Sequence, residues 1–158
     1  MIEDIIRTAK EVVRKGGQVQ PMFFMRLRNK IEIIDLQGLP NKDLGSAFMR
    51  LAIVKKKPDE YVFICESWIK KFDTKNENDK KESKLVAQGV KEVNEFDDKN
   101  ECILIVHGMK ETREKTGVIV FERIKGNVKF SELEWLPQAV QGRFSNLWNP
   151  FGGDSKVN

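Results

Sequence analysis

Three titratable side chains have types and placements able to do chemistry: Glu66, Glu101 and His107. Glu66 follows the apolar run Tyr61-Val62-Phe63-Ile64-Cys65 and alternates with Val62, Ile64 and Trp68. A carboxylate on such a face is expensive unless paired and titrates abnormally, as a general base or a ligand anchor does. The position equally suits a structural acid at a sheet end, held by Arg26, Arg28, Lys70 or backbone donors. Glu101 opens a strand expected in the same sheet. Two carboxylates on neighbouring strands suit acid–base work, and also plain surface charge. His107 shares a strand face with Ile103 and Ile105 and reads first as a packed or hydrogen-bonded residue, second as a catalytic one.

Binding chemistry has two further candidates. Phe24, Arg26 and Arg28 interleave a ring with cations on one face of a strand, which could stack a base and hold phosphate. One ring before two arginines lacks the paired aromatics of an RNA-binding sheet, so an exposed basic face is the default. Near the C-terminus, Trp148 and Phe151 lie beyond the last regular strand. Rings in a polar tail are expected to bury themselves, on their own domain or on a second subunit or protein partner. No metal is expected. The chain has 1 histidine and 2 cysteines, without a CxxC pair or an HExxH helix. No cofactor is expected either. Gly16-Gly17 ends a helix instead of opening one, and no serine sits in a nucleophile elbow.

These residues need elements to hold them. Ile2, Ile5, Ile6, Ala9, Val12 and Val13 recur at helical spacing over 2–15, with Gly16-Gly17 as the stop. A strand over 19–28 turns at Asn29-Lys30 into a return strand, Ile31 to Leu36. A second helix over 41–57 is capped by Asn41, carries the apolar stripe Leu44, Phe48, Leu51 and Ala52, and is ended by Pro58. The strand Tyr61 to Ile69 is apolar on both faces in its first half and should be central. Residues 70–84 read as a polar mobile loop, and 85–96 suit either a short helix or a loose strand. After a turn at Asp97 to Asn100 come strands Cys102 to Gly108 and Gly117 to Ile124. A Gly126-Asn127 turn then leads into Val128 to Leu136. That turn would set Val120 against Leu133 and Val118 against Trp135, leaving Ile119 and Phe121 on a partly wet face. The expectation is a single α+β domain over 1–136, with about six mainly antiparallel strands and two helices, and a tail over 137–158 whose end is disordered.

Composition sets the outer limits. The chain has 158 residues, enough for one sizeable core, and its 40% apolar and 33% charged shares suit a globular domain. Its 28 basic against 24 acidic residues leave a charge of +4, too small and too scattered to identify a nucleic-acid binder. No stretch of about 18 apolar residues exists, so no membrane span is expected. The N-terminus lacks the pattern of a secretion signal. Cys65 and Cys102 lie in apolar runs and read as two buried thiols in a reducing, cytoplasmic setting, with a cross-strand disulfide as the alternative.

The order of features resembles an uncharacterised group of small prokaryotic and phage-borne proteins. Their pattern runs from an N-terminal helix through a Pro-x-Phe strand and a helix to a strand ending in Ser-Glu-Ala-Trp. A loop, a turn and an Arg-x-Glu strand start follow. The matching pieces are Pro21-Met22-Phe23, Cys65-Glu66-Ser67-Trp68 and Asp97-Asp98-Lys99-Asn100-Glu101, within roughly residues 5 to 124. Cys65 stands for the serine, Ser67 for the alanine and Lys99 for the arginine. The resemblance implies the same fold order and singles out Glu66, Trp68 and Glu101; it implies no activity. With catalytic and cofactor signatures lacking, the sequence is read as a non-enzymatic binding or interaction protein, with self-association through the tail expected. The alternatives are a small enzyme using Glu66, Glu101 or His107, and an accessory nucleic-acid binder.

Overall fold

A computed structural model of the protein describes residues 1–73 and 75–137. In chain order the elements are α1 (Ile2–Arg14), β1 (Met22–Leu27), β2 (Lys30–Asp35), α2 (Lys42–Lys56), β3 (Glu60–Ile69), α3 (Glu77–Ala87), a 3₁₀ turn (Val93–Glu95), β4 (Asn100–Met109), β5 (Lys115–Ile124), β6 (Asn127–Phe130) and β7 (Glu134–Trp135). The strands form one antiparallel sheet in the order β2-β1-β3-β4-β5-β6, with β7 also paired to β5. This is the α+β architecture read from the sequence, with α3 as an additional helix.

Alternation along the central strands divides the interior in two. Phe23, Met25, Tyr61, Phe63 and Val106 point to one face and bury Met49, Ala52 and Ile53 of α2. Val62, Ile64, Ile103, Ile105, Ile119 and Phe121 point to the other and bury Ala9 and Val13 of α1. A helix therefore covers each face, which is why β3 and β4 are apolar on both sides. Ile119 and Phe121 lie under α1, fully buried, and not on the partly wet face expected of them.

The apolar stripe of α2 differs from the expected one. Of Leu44, Phe48, Leu51 and Ala52, only Ala52 is buried. The buried set is Gly45, Ser46, Met49, Ala52 and Ile53. The helix carries two rival apolar stripes, and the one with the smaller side chains faces the sheet. Gly45 and Ser46 bring the backbone close enough for Met49 and Ile53 to fill the gap. Asn41 caps the helix as expected, its Oδ1 accepting from Leu44 N–H at 2.8 Å.

Both hairpins turn one residue earlier than the sequence suggests. Arg28-Asn29 makes the β1–β2 turn, with Leu27 opposite Lys30. Arg28 adopts φ +53°, and its N–H donates to Asp59 Oδ2 at 2.9 Å, which holds the turn from outside the hairpin. Lys125-Gly126 makes the β5–β6 turn, both with positive φ, as a type I′ turn requires. Phe121 therefore faces Phe130. At Ser131 the chain bulges: its N–H donates to Val120 O at 2.8 Å and its Oγ accepts from Val120 N–H at 2.9 Å. The bulge shifts the register by one, so Gly117 faces Trp135 and Val118 faces Glu134. The last strand is thus split in two and the expected Val118–Trp135 pairing is replaced.

Residues 77–84 of the stretch read as a polar loop form α3, together with 85–87 of the stretch left open between a short helix and a loose strand. Asn76 Oδ1 accepts from the N–H groups of Asn78 and Asp79, and no residue of the helix is buried. A good cap and a run of strong helix formers suffice there without a core face.

Candidate functional site

Two carboxylates on the α1 face, Glu60 and Glu66, stand six positions apart along β3, which at about 3.3 Å per residue places them roughly 20 Å apart. Each anchors its own charged cluster, and the apolar pair Val62 and Ile64 lies between them.

Around Glu66 the chain closes a latch. Glu66 Oε2 accepts from Val19 N–H at 2.9 Å, and Glu66 N–H donates to Val19 O at 3.1 Å. Glu66 Oε1 lies 3.8 Å from Arg123 Nη2, and Arg123 Nε lies 3.8 Å from Glu101 Oε2. The same guanidinium donates to Val13 O at 3.2 Å and to Gly17 O at 3.5 Å. Those carbonyls belong to the end of α1 and its exit, where a cation complements the dipole. Arg123 thus ties β3, β4 and α1 together, and both carboxylates are engaged in holding it. The expected partners Arg26, Arg28 and Lys70 are elsewhere: Lys70 pairs with Asp98 and Glu82, and Arg26 with Glu60.

At the other end, Glu60 is only 8% exposed. Its Oε1 lies 2.9 Å from His107 Nε2 and its Oε2 lies 3.0 Å from Arg26 Nε. The His107 ring lies against the Trp135 ring, centroids 6.3 Å apart. Trp135 can lie there because residue 117 is glycine: a Cβ would stand 2.8 Å from Trp135 Cε3 and from Leu133 Cδ1. The structure therefore brings Glu66 and Glu101 together but sets His107 at the far end of the strand with Glu60. Glu60 escaped the sequence reading because it stands before the apolar run. Its alternation with Val62, Ile64 and Glu66 is the signal that places it.

Trp68 is exposed, with Lys99 Nζ 5.0 Å from its ring centroid. Phe24, Arg26 and Arg28 do not form one stacking face. Arg28 leaves the strand at the turn, Arg26 is ion-paired, and Phe24 is half-buried beside α1. Trp148 and Phe151 lie outside the described residues. Cys65 and Cys102 are free thiols, and burial pushes each up to about 12. Among the described residues no group of three or more His, Cys, Asp or Glu is placed to hold a metal ion, and no helix is long and apolar enough to cross a membrane.

The same face carries an apolar concavity. A groove of about 400 Å³ runs between α1 and β1, lined by Ile5, Ala9, Val12, Met22, Phe24 and Ile64, with Thr8 and Gln20 among its polar members. Its floor reaches β2 through Phe24, which stands opposite Ile33, while on either side Arg26 stands opposite Ile31 and Met22 opposite Asp35. Ile31 is 52% and Ile33 56% exposed. Periodicity could not find this groove, since its walls come from three elements and each wall residue reads locally as core. No protein-family model, curated protein or solved structure matches the chain.

Proposed function

We propose that this protein is a non-enzymatic binding protein that holds an apolar segment of a polypeptide partner in the groove between α1 and β1. One observation carries the reading: an apolar groove beside α1 ends at Phe24, and the exposed Ile33, with Ile31 beside it, extends it across β2 on a sheet face otherwise closed by α1. Concave apolar surface of this size, with a few polar atoms at its margin, is the usual form of a binding site. The charged groups of the same face give this reading further support. Glu66, Glu101 and Arg123 are occupied with one another and with backbone, and Glu60 with His107 and Arg26, so each acts first as a fastener.

The test uses 1-anilinonaphthalene-8-sulfonate, whose fluorescence rises in apolar pockets, and the full chain. Wild type is expected to give a saturable, one-site increase. Thr8→Trp, an exposed change on the groove wall, fills the groove and removes most of the signal while the melting temperature holds. Absence of saturable binding, or equal binding by Thr8→Trp, overturns the reading.

A further inference from the structure

We infer that the outer edge of β2 pairs with the β2 edge of a second copy of this chain, so that a two-fold dimer joins two half-grooves into one trough centred on isoleucines; this rests on the binding reading above and names its first partner. The backbone gives the first reason. A two-residue turn makes Leu27 and Lys30 a hydrogen-bonded pair, and the same alternation continues to Leu36 N–H, which donates to Pro21 O at 2.9 Å. Lys30, Glu32 and Ile34 therefore direct their backbone groups to β1. Ile31, Ile33 and Asp35 direct theirs to the open edge, where no strand among the described residues meets them. β2 is six residues long and unbroken, whereas the opposite edge is divided between the short β6 and β7. Natural edges are blunted by brevity, bulges or inward charge. The β6–β7 edge has the first two, and the apolar face of β2 has none.

Side chains give the second reason, and they select the register. Antiparallel pairing about a two-fold axis puts opposed side chains on one face only if residues of the same parity meet. With Ile31 opposite Ile33 of the second copy, and the converse, the outward N–H and C=O groups bond each other. Four isoleucines then meet on the groove side. On the other side Glu32 meets Glu32 of the second copy. Each carboxylate is already held by Lys30 and Lys56 of its own chain, so two negative charges sit among four positive ones. Those two ammonium groups hold the Glu32 carboxyl down to about 2, so it remains charged at any working pH. Sliding the pairing by two residues one way would set Ile31 against Asp35, and the other way Ile33 against Asn29, so that either slide loses the four-isoleucine contact.

Both half-grooves open toward this edge. Strands about 4.8 Å apart make a floor of β1, β2 and their two counterparts about 14 Å wide, walled by the two α1 helices. The dimer therefore completes the site, giving an apolar segment two walls where the single chain offers one.

Sedimentation of the full chain, from low to high micromolar concentration, tests the inference. Wild type is expected at twice the chain mass. Ile33→Pro removes an outward N–H and no bond to β1, and Ile31→Lys puts charge into the four-isoleucine contact. Each should weaken dimerisation at least about tenfold with an unchanged circular-dichroism spectrum. Should Ile33→Pro fail to fold, Ile31→Lys carries the test alone. A wild-type monomer throughout the range, or a dimer untouched by Ile31→Lys, overturns the inference. A monomer that still binds the dye at one groove site leaves the binding reading standing. A dimer that binds no dye does the reverse.

Discussion

Raising the pH should unfold this protein earlier than its surface charge alone would, because three acids whose charged forms the interior rejects lie in its central strands. Cys65 and Cys102 sit on the same face of β3 and β4, diagonal across the register that sets Cys65 opposite Leu104 and Ser67 opposite Cys102. Desolvation pushes each thiol from 9 up to about 12. Burial, aided by the Glu114 carboxylate that Tyr61 O–H donates to, pushes the phenol of Tyr61 strongly up as well. A raised folded-state value means that the folded chain keeps its protons longer than the unfolded chain. Stability is then complete below the unfolded value and falls as pH climbs through the window above it. For the thiols that window runs from 9 to about 12. At pH 10 each unfolded thiol is about one unit past its midpoint, so the pair contributes a loss of about 3 kcal/mol relative to neutral pH. Against a typical total of about 5–15 kcal/mol, that is a large fraction. The assay is urea unfolding under reducing conditions at stepped pH, paired with thiolate absorbance of the native protein. The variant carrying Cys65→Ala and Cys102→Val is expected to lose this part of the slope between pH 9 and 11, whatever its stability at neutral pH. Native thiolate absorbance with a midpoint near 9, or an identical slope in the variant, would refute the argument.

The latch at Arg123 gives a second expectation. Glu66→Gln leaves an oxygen for Val19 N–H but withdraws the charge facing Arg123, and should cost about 1–2 kcal/mol by urea unfolding, while Arg123→Ala costs a similar amount and the double variant less than the sum. Strict additivity would show that the two residues do not act through each other. Gly117→Ala forces a Cβ against Trp135 and Leu133 at 2.8 Å; β7, being a two-residue edge strand, should give way, opening the Trp135 ring, already 39% exposed, further to acrylamide quenching at a cost of about 1–3 kcal/mol. Unchanged quenching would mean that the ring does not rest on that glycine.

What the sequence could express was local periodicity, and the elements fixed by one strong period are where it should place them. The first helix is legible because its apolar residues form one stripe and two glycines stop it. β3 and β4 are legible because each is a short apolar run of β-branched and other strand-favouring residues between polar segments, too short for a buried helix. α2 is not, because it carries two stripes, and only the shape of the sheet selects Gly45, Met49 and Ile53 over Leu44, Phe48 and Leu51. The hairpins slip by one residue for a related reason. Arg28 is held in its turn by Asp59, 31 positions away, and the bulge at Ser131 is fixed by bonds to Val120. The acid cluster is half legible: Glu66 shows itself by interrupting an apolar run, while Arg123, which decides its role, looks like any cation near a strand end.

The apolar strip beside α1 follows from geometry that no single chain of this design avoids. A helix is about 10 Å across and strands lie about 4.8 Å apart, so one helix shields two or three strands of a sheet six strands wide. On its face α1 lies toward the β6 side: Lys10 and Arg14 reach over the Phe130 ring at 5.5 and 5.1 Å, and Arg123 fastens the end of the helix to β5. On the opposite face α2 covers the β1 side instead, which leaves the α1 face of β1 and β2 without a helix of its own. An edge destined for solvent would carry polar residues at 31 and 33, since alternation permits them there at no loss to β1. Two isoleucines stand at those positions, beside a groove that ends at Phe24. The proposed pairing would make that surface interior: a second copy of the same edge supplies hydrogen bonds and isoleucines to match it in one register, so a dimer that buries Ile31 and Ile33 is the outcome that would account for them.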